Sequence, residues 1–201
     1  MRCRLRTTGF SLPFDRLTVA EPSRFDVKRS MITIRPEQAD DVAAVRAVNE
    51  KAFPQPIEAN LVDKLRAVCM DAVSLVAVLD GQVVGHILFT PVTIQTQTRE
   101  IRGMGLGPMA VVPEHQRQGI GSQLVKAGLE ILRQRHCSFV IVLGHAEYYP
   151  RFGFAPASQY GIHCQWDGIP DNVFMAVVFD KETMSGVSGV ARYRNEFDET
   201  I

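Results

Sequence analysis

Several features are scarce in this chain of 201 residues, and each absence removes a class of function. No apolar run approaches the roughly 18 residues that a membrane-spanning helix needs, so no membrane partner is expected. The start carries no hydrophobic stretch of the kind a secretory signal contains. Charge is balanced, with 22 Lys and Arg against 22 Asp and Glu, so no bulk charge marks the chain for nucleic acid or anionic lipid. The four cysteines, Cys3, Cys69, Cys137 and Cys164, form no C-x-x-C pair, and no histidine stands at zinc-ligand spacing. No metal is expected, and a reduced, cytoplasmic chain is the natural reading. Internal repeats and low-complexity tracts are missing too. What is left, 46% hydrophobic and 22% charged, has the composition of one ordinary globular domain.

Within that domain, Gly107–Arg135 organises the rest. Met109-Ala110-Val111-Val112 is a short apolar strand that breaks at Pro113. A loop follows, Glu114-His115-Gln116-Arg117-Gln118-Gly119-Ile120-Gly121. Then comes an amphipathic segment from Ser122 to Arg135, with Ile120, Leu124, Gly128, Ile131 and Leu132 on one helical face. Strand, glycine-bearing loop and helix together make an anion site. The first helical N–H groups lack partners, the dipole end is positive, and glycines let the backbone approach a phosphate. A dinucleotide fold would need a third glycine and a following acidic residue. A nucleotide-hydrolysing loop would need a lysine after the second glycine, where this chain has Ser122. Both absences argue for a different phosphorylated ligand.

Residues 1–29 read as a loose N-terminal extension or a start assigned too far upstream; they are basic, but three acidic residues argue against a transit peptide. Residues 30–182 carry the periodic elements. Met31–Arg35 alternates as a strand, and two amphipathic helices follow, at 37–53 (Val42, Val45, Val48 and Phe53 inward) and 57–68. Asp80-Gly81 between two apolar runs predicts a hairpin of 74–79 with 82–89. A further strand-like stretch lies near 92–101, and 104–107 reads as a loop. Cys137–Leu143 is almost wholly apolar, as a strand buried on both faces would be; with Met109–Val112 and the helix it makes a parallel β-α-β unit. A short helix at 146–152 and a final strand pair at 160–165 and 174–179 complete the list. Residues 183–201 read as a partly ordered C-terminal tail. The fold class is α/β.

Gln116-x-x-Gly119-x-Gly121, between that strand and helix, resembles the acetyl-CoA motif of GNAT-superfamily N-acetyltransferases. Tyr149-Pro150-Arg151-Phe152-Gly153-Phe154 is similar to the family's second marker, a tyrosine four residues before Gly-Phe. Leu106–Val111 and the Tyr148–Phe154 stretch resemble the YhbS-like branch. The resemblance covers about 150 of the 201 residues. It implies a mixed, mostly antiparallel central sheet with flanking helices and a central β-α-β acetyl-CoA motif. It also implies an acetyl-CoA-dependent N-acetyltransferase working by direct attack of a primary amine on the thioester. The implied cofactor contacts are Met109, Ala110 and Val111 along the acyl arm, and Gln116, Arg117, Gln118, Gly119, Ile120, Gly121 and Ser122 around the pyrophosphate. The family's usual asparagine is replaced by Gly144-His145.

Tyr149 is the expected general acid, because a phenol remains protonated at pH 7 and can serve a leaving thiolate. Tyr148 competes for that role, and each tyrosine also reads as a packing aromatic. His145, Glu58, Glu147 and water remain open as the base. The acceptor is a small-molecule or peptide amine without a recognisable code, and the protein is a monomer or a homodimer. The alternative is a non-catalytic acyl-CoA-binding sensor, which would keep the glycine loop and have no use for Tyr149.

Overall fold

The computed structural model describes residues 31–198, so the expected N-terminal extension lies outside the described residues. Strand β1 (Ile32–Pro36) leads through a 3-10 turn at Ala39–Asp41 into helix α1 (Val42–Ala52), and Pro56 caps helix α2 (Ile57–Val68). The first helix is thus shorter than the sequence suggests. Val42 sits at its start with 37% of its surface exposed, while Val45 and Val48 are buried. Strands β2 (Val73–Leu79) and β3 (Gln82–Gln95) form the expected hairpin. Asp80 and Gly81 at its tip both have positive φ, 48° and 83°, which is the backbone a two-residue hairpin turn demands.

The next strand, β4 (Glu100–Val111), corrects the sequence reading. Residues 104–107 belong to it and form no loop, and the stretch at 92–101 is divided between β3 and β4 around a tight turn. Glycines at 103 and 105 disguised the strand. A β-carbon at Gly103 would lie 2.5 Å from the Phe139 ring, and one at Gly105 would lie 2.7 Å from Tyr193, so glycine here is a packing requirement.

Helix α3 (Ile120–Gln134) then crosses to β5 (Phe139–Leu143), which runs parallel to β4. The short helix expected at 146–152 is a single 3-10 turn at Tyr149–Phe152. Beyond it lie β6 (Ala155–Pro156), β7 (Ile162–Cys164), β8 (Phe174–Val178) and β9 (Gly189–Arg192). The strands at 162–164 and 174–178 do not pair with each other: β8 lies between β5 and β6, while β7 pairs with β9. Among the described residues there is one nine-stranded sheet in the order β1-β2-β3-β4-β5-β8-β6, with β9 bridging β3 and β7. Most of its pairings are antiparallel.

Residues 183–198 of the segment read as a C-terminal tail therefore join the sheet through β9. Its apolar residues are sparse, yet Met184, Val187, Ala191, Tyr193 and Phe197 are all buried. Their spacing follows no single helical or strand period, which is why the sequence reads there as irregular and polar. Gly161 and Gly189 permit the close approach, since a β-carbon on either would meet backbone at 2.2 or 2.3 Å.

The sheet separates two cores. Helix α3 packs on one face through Ile120, Leu124, Val125, Leu129 and Leu132 against Leu75, Ile87 and Phe89. Helix α2 and the C-terminal segment cover the other through Leu61, Val62, Leu65, Tyr193 and Phe197, against Val76, Leu88 and Val92.

One irregularity positions the site. Strand β4 pairs with β3 along its length but with β5 only at Met104, Gly105 and Leu106. Its register with β3 jumps between Ile87 and Phe89, which pair with Met109 and Leu106. Two β4 residues, Gly107 and Pro108, thus oppose Leu88, a bulge that bends the strand away from β5. From Gly107 onward β4 has no strand partner on that side among the described residues.

Candidate active site

The gap between the diverging strands opens into a cleft of about 780 Å³. Of the sequence-predicted cofactor residues, Met109, Val111, Gln116, Arg117, Gly119, Gly121 and Ser122 line it, as does Tyr149. Ala110 and Ile120 are buried, with 2% and 1% of their surface exposed, so neither side chain can meet a ligand. Gln118 folds back, donating from Nε2 to the Glu114 carbonyl at 3.1 Å. Gln116 does likewise: its Nε2 donates to the Val111 carbonyl at 2.9 Å and its N–H donates to Pro113. Both glutamines brace the loop.

The loop backbone is shaped to receive an anion. Arg117 has φ of 60° and Gly119 has φ of 84°, so two left-handed residues curl the chain just before α3 begins. Alternating handedness of this kind gathers successive N–H groups into a concave nest. The first helical bond runs from Gln123 N–H to the Gly119 carbonyl at 3.0 Å, so the preceding N–H groups at Ile120, Gly121 and Ser122 have no partner within the helix. A non-glycine residue held at positive φ, as Arg117 is, is characteristic of a functional loop.

Across the cleft stand His145, Glu147, Tyr148, Tyr149 and Arg151. Tyr149 lies on the 3-10 turn, 6% exposed, with its ring against Gly144, where a β-carbon would come within 2.3 Å of it. It meets Tyr148 and Phe154 edge to face at 5.1 and 5.6 Å. Burial, and then the neighbouring Tyr148, push its phenol above the ordinary value of 10. The phenol is therefore neutral throughout the physiological range. Tyr148 points elsewhere. Its hydroxyl lies 3.5 Å from Ser122 Oγ and 2.9 Å from where a β-carbon on Gly121 would stand, and Arg151 stacks on its ring at 4.7 Å. Tyr148 thus reaches the helix N-terminus while Tyr149 stays behind it. Neither His115 nor Arg151 has a role implied by the sequence motifs. The Tyr-Tyr-Pro-Arg order places Arg151 next to the marker tyrosine and was the available signal.

A second cleft, of about 380 Å³, is lined by Glu37, Arg66 and Ser74. Behind Ser74 lies a row resembling a nucleophile relay. Ser74 Oγ is 3.0 Å from His86 Nε2, and His86 Nδ1 is 3.2 Å from Asn49 Nδ2. Its polarity runs the wrong way for catalysis. Asn49 Nδ2 also donates to the Val45 carbonyl at 2.9 Å, which orients the amide, so His86 Nδ1 must accept and Nε2 carries the hydrogen. Ser74 consequently donates to the Glu37 carboxylate, and His86 has no free lone pair facing it to act as the base of a relay. The row is a structural brace.

The Acetyltransferase (GNAT) domain model matches residues 33–157, which is most of the described chain. The chain belongs to the GNAT superfamily of N-acetyltransferases. It is 32% identical over 166 residues to the uncharacterized N-acetyltransferase YhbS of Escherichia coli, covering 82% of this chain and 98% of that relative. The crystal structure of that YhbS protein in complex with CoA superposes with a TM-score of 0.77 at 30% identity, over 89% of this chain and 94% of the other. A GNAT-family acetyltransferase from Brucella melitensis, solved in complex with acetyl-CoA, gives 0.67 at 34% identity, over 84% and 99%. Among the described residues no cluster of His, Cys, Asp and Glu could hold a metal ion, and no helix is long and apolar enough to cross a membrane.

Proposed function

We propose that this GNAT enzyme transfers the acetyl group of acetyl-CoA to a primary amine by direct attack on the thioester, with Tyr149 serving the departing sulfur. One observation carries the reading: an N–H nest, an unpaired strand edge and a buried neutral phenol all border a single cleft. The nest formed by Arg117–Ser122 suits a pyrophosphate, and the open edge of β4 from Gly107 suits an extended amide-bearing arm that adds as a strand would. A β4 N–H on that edge polarises the thioester carbonyl.

In the step itself, the amine nitrogen bonds to the carbonyl carbon, the carbon–sulfur bond breaks, and the amine proton ends on the thiol. A phenol above pKa 10 does not give its proton outright to a thiolate whose acid has a pKa of about 8.5. Tyr149 therefore acts as a hydrogen-bond donor to the developing thiolate. It parts with its proton only as another arrives from the strongly acidic nitrogen of the tetrahedral intermediate. His145 and Glu147 are exposed at the cleft rim, where either can pass an amine proton to water.

The test incubates the protein with acetyl-CoA and a panel of amines and follows free thiol. Turnover of at least one amine is expected. Tyr149→Phe should lower kcat by about a hundredfold or more, the loss typical of a proton-transfer group, without changing the Kd for CoA. Binding of acetyl-CoA with no thiol release from any amine, and no effect of Tyr149→Phe, would instead identify an acyl-CoA sensor.

A further inference from the structure

Two adjacent tyrosines border the cleft, and the proposed chemistry uses only one of them. The other, Tyr148, is held on several sides. The Arg151 guanidinium stacks on its ring at 4.7 Å, and Tyr149 and Phe152 meet that ring edge to face at 5.1 and 5.3 Å. Its N–H donates to the His145 carbonyl at 3.0 Å, which ties the backbone as well. A ring enclosed in this way leaves its hydroxyl at a fixed place.

That place is the start of α3. The hydroxyl lies 3.5 Å from Ser122 Oγ and 2.9 Å from the point a β-carbon on Gly121 would occupy. Gly121 is inside α3 and its φ is not positive, so its backbone does not call for glycine. The other atoms such a β-carbon would meet, Cε and Sδ of Met109 at 3.5 and 3.7 Å, are at ordinary contact distance. The Tyr148 hydroxyl is thus the group that a side chain at position 121 would displace. Because neighbours brace the ring, it cannot give way cheaply.

We propose that Tyr148 is a cofactor-binding residue, whose hydroxyl donates to the pyrophosphate of CoA through the space that Gly121 leaves. The hydroxyl stands beside the first turn of α3, where the N–H groups of Gly121 and Ser122 have no partner within the helix and an anion's oxygens collect. A phenol brings one O–H donor, and Arg151 on the ring face brings a positive charge to the same wall. The nest supplies donors from the α3 side, and Tyr148 supplies one from the turn after β5. Two elements therefore grip the anion. The adjacent tyrosines serve opposite ends of the cofactor, Tyr148 the pyrophosphate and Tyr149 the sulfur. The binding role rests on CoA as the ligand, and the division of labour rests also on the Tyr149 reading above.

The experiment measures Kd by calorimetry for CoA, for dephospho-CoA, which keeps the pyrophosphate, and for pantetheine, which has no phosphate. Wild type, Tyr148→Phe, Gly121→Ala and the double variant are compared, with thermal midpoints confirming that each is folded. Tyr148→Phe should weaken CoA and dephospho-CoA alike by about tenfold, the low end of what a hydrogen bond to a charged group contributes, and should change pantetheine by less than about twofold. Gly121→Ala should weaken CoA too, but should add little in the Tyr148→Phe background, where the displaced hydroxyl is gone. Unchanged CoA affinity in Tyr148→Phe, an equal loss on pantetheine, a loss confined to CoA and absent with dephospho-CoA, or additive losses in the double variant would each overturn the assignment. If pantetheine binds too weakly to titrate, the double variant decides. In turnover, the Tyr148→Phe loss should appear in the KM for acetyl-CoA more than in kcat. A fall in kcat with CoA affinity unchanged would hand Tyr148 the sulfur and sink this proposal. Weakened CoA binding in Tyr148→Phe, with no effect of Tyr149→Phe on kcat, would sink the Tyr149 reading and leave this one standing.

Discussion

The Tyr149 phenol and the His86 imidazole are both buried, and burial acts on them in opposite senses. It raises the tyrosine and lowers the histidine, because in each case it disfavours the charged form. For His86 the fall is from 6.5 to about 3, from desolvation first and the Arg66 guanidinium second. The consequence for stability has a definite sign. Below about pH 6.5 the unfolded imidazole takes up a proton that the folded one refuses, so this contribution is whole above that pH and declines toward pH 3, by about 1.4 kcal/mol per unit. His86→Gln should therefore flatten the dependence of the urea midpoint on pH between about 6.5 and 4.5, compared with wild type. An unchanged slope would show that the folded protein protonates His86, with Glu37 then pairing with it across 3.8 Å. Nothing in the local sequence around His86, which reads as an ordinary strand, announces this. Its partners Asn49, Ser74 and Glu37 come from α1, β2 and the turn after β1, and only folding brings them to it.

Helix α3 and the residue capping it show two glycines used for different reasons, and substitution separates them. A β-carbon at Gly119 would meet nothing within 4 Å, so its requirement is purely the positive φ of 84°. Gly119→Asn, which tolerates the left-handed region, should keep CoA affinity close to wild type. Gly119→Val should cost about 1–2 kcal/mol of stability and weaken CoA binding, read by thermal shift and by fluorescence titration. Gly128 is the other case. A β-carbon there would lie 2.2 Å from the Phe89 ring. Alanine would recover about 1 kcal/mol of helix propensity, but overpacking against a buried ring costs about 1–3 kcal/mol, so Gly128→Ala should lower the thermal midpoint on balance. A higher midpoint would mean that the helix can shift away from β3 at little cost. The sequence announces the loop glycines through their motif. Gly128 it disguises, since a glycine on the apolar face of a helix looks like an ordinary gap.

Taken as one body, the domain depends on a segment that composition alone would discard. Residues 183–198 add β9 between β3 and β7 and lay Tyr193 and Phe197 onto the α2 side of the sheet. Burying an aromatic or large aliphatic side chain stabilises by about 1.5–3 kcal/mol, and Met184, Val187, Tyr193 and Phe197 are four of them, against a whole-domain stability of about 5–15 kcal/mol. A chain ended after residue 182 should therefore lose its cooperative thermal transition. If the segment were a dispensable tail, that truncation would leave both the melting curve and CoA binding unchanged.

The amino-acid order alone settles what rests on local periodicity and turn chemistry. The Asp80-Gly81 hairpin, the amphipathic α3, the glycine loop before it and the β-α-β unit around it are all visible in neighbouring residues. They suffice for the family and the cofactor motif. Folding settles what depends on residues far apart in the chain. The bulge at Gly107-Pro108 and the short β5 make β4 part from its neighbour, and the C-terminal segment finds its place through scattered anchors. Backbone conformation is written in short stretches, whereas packing and the pairing of buried polar groups are sums over the whole chain.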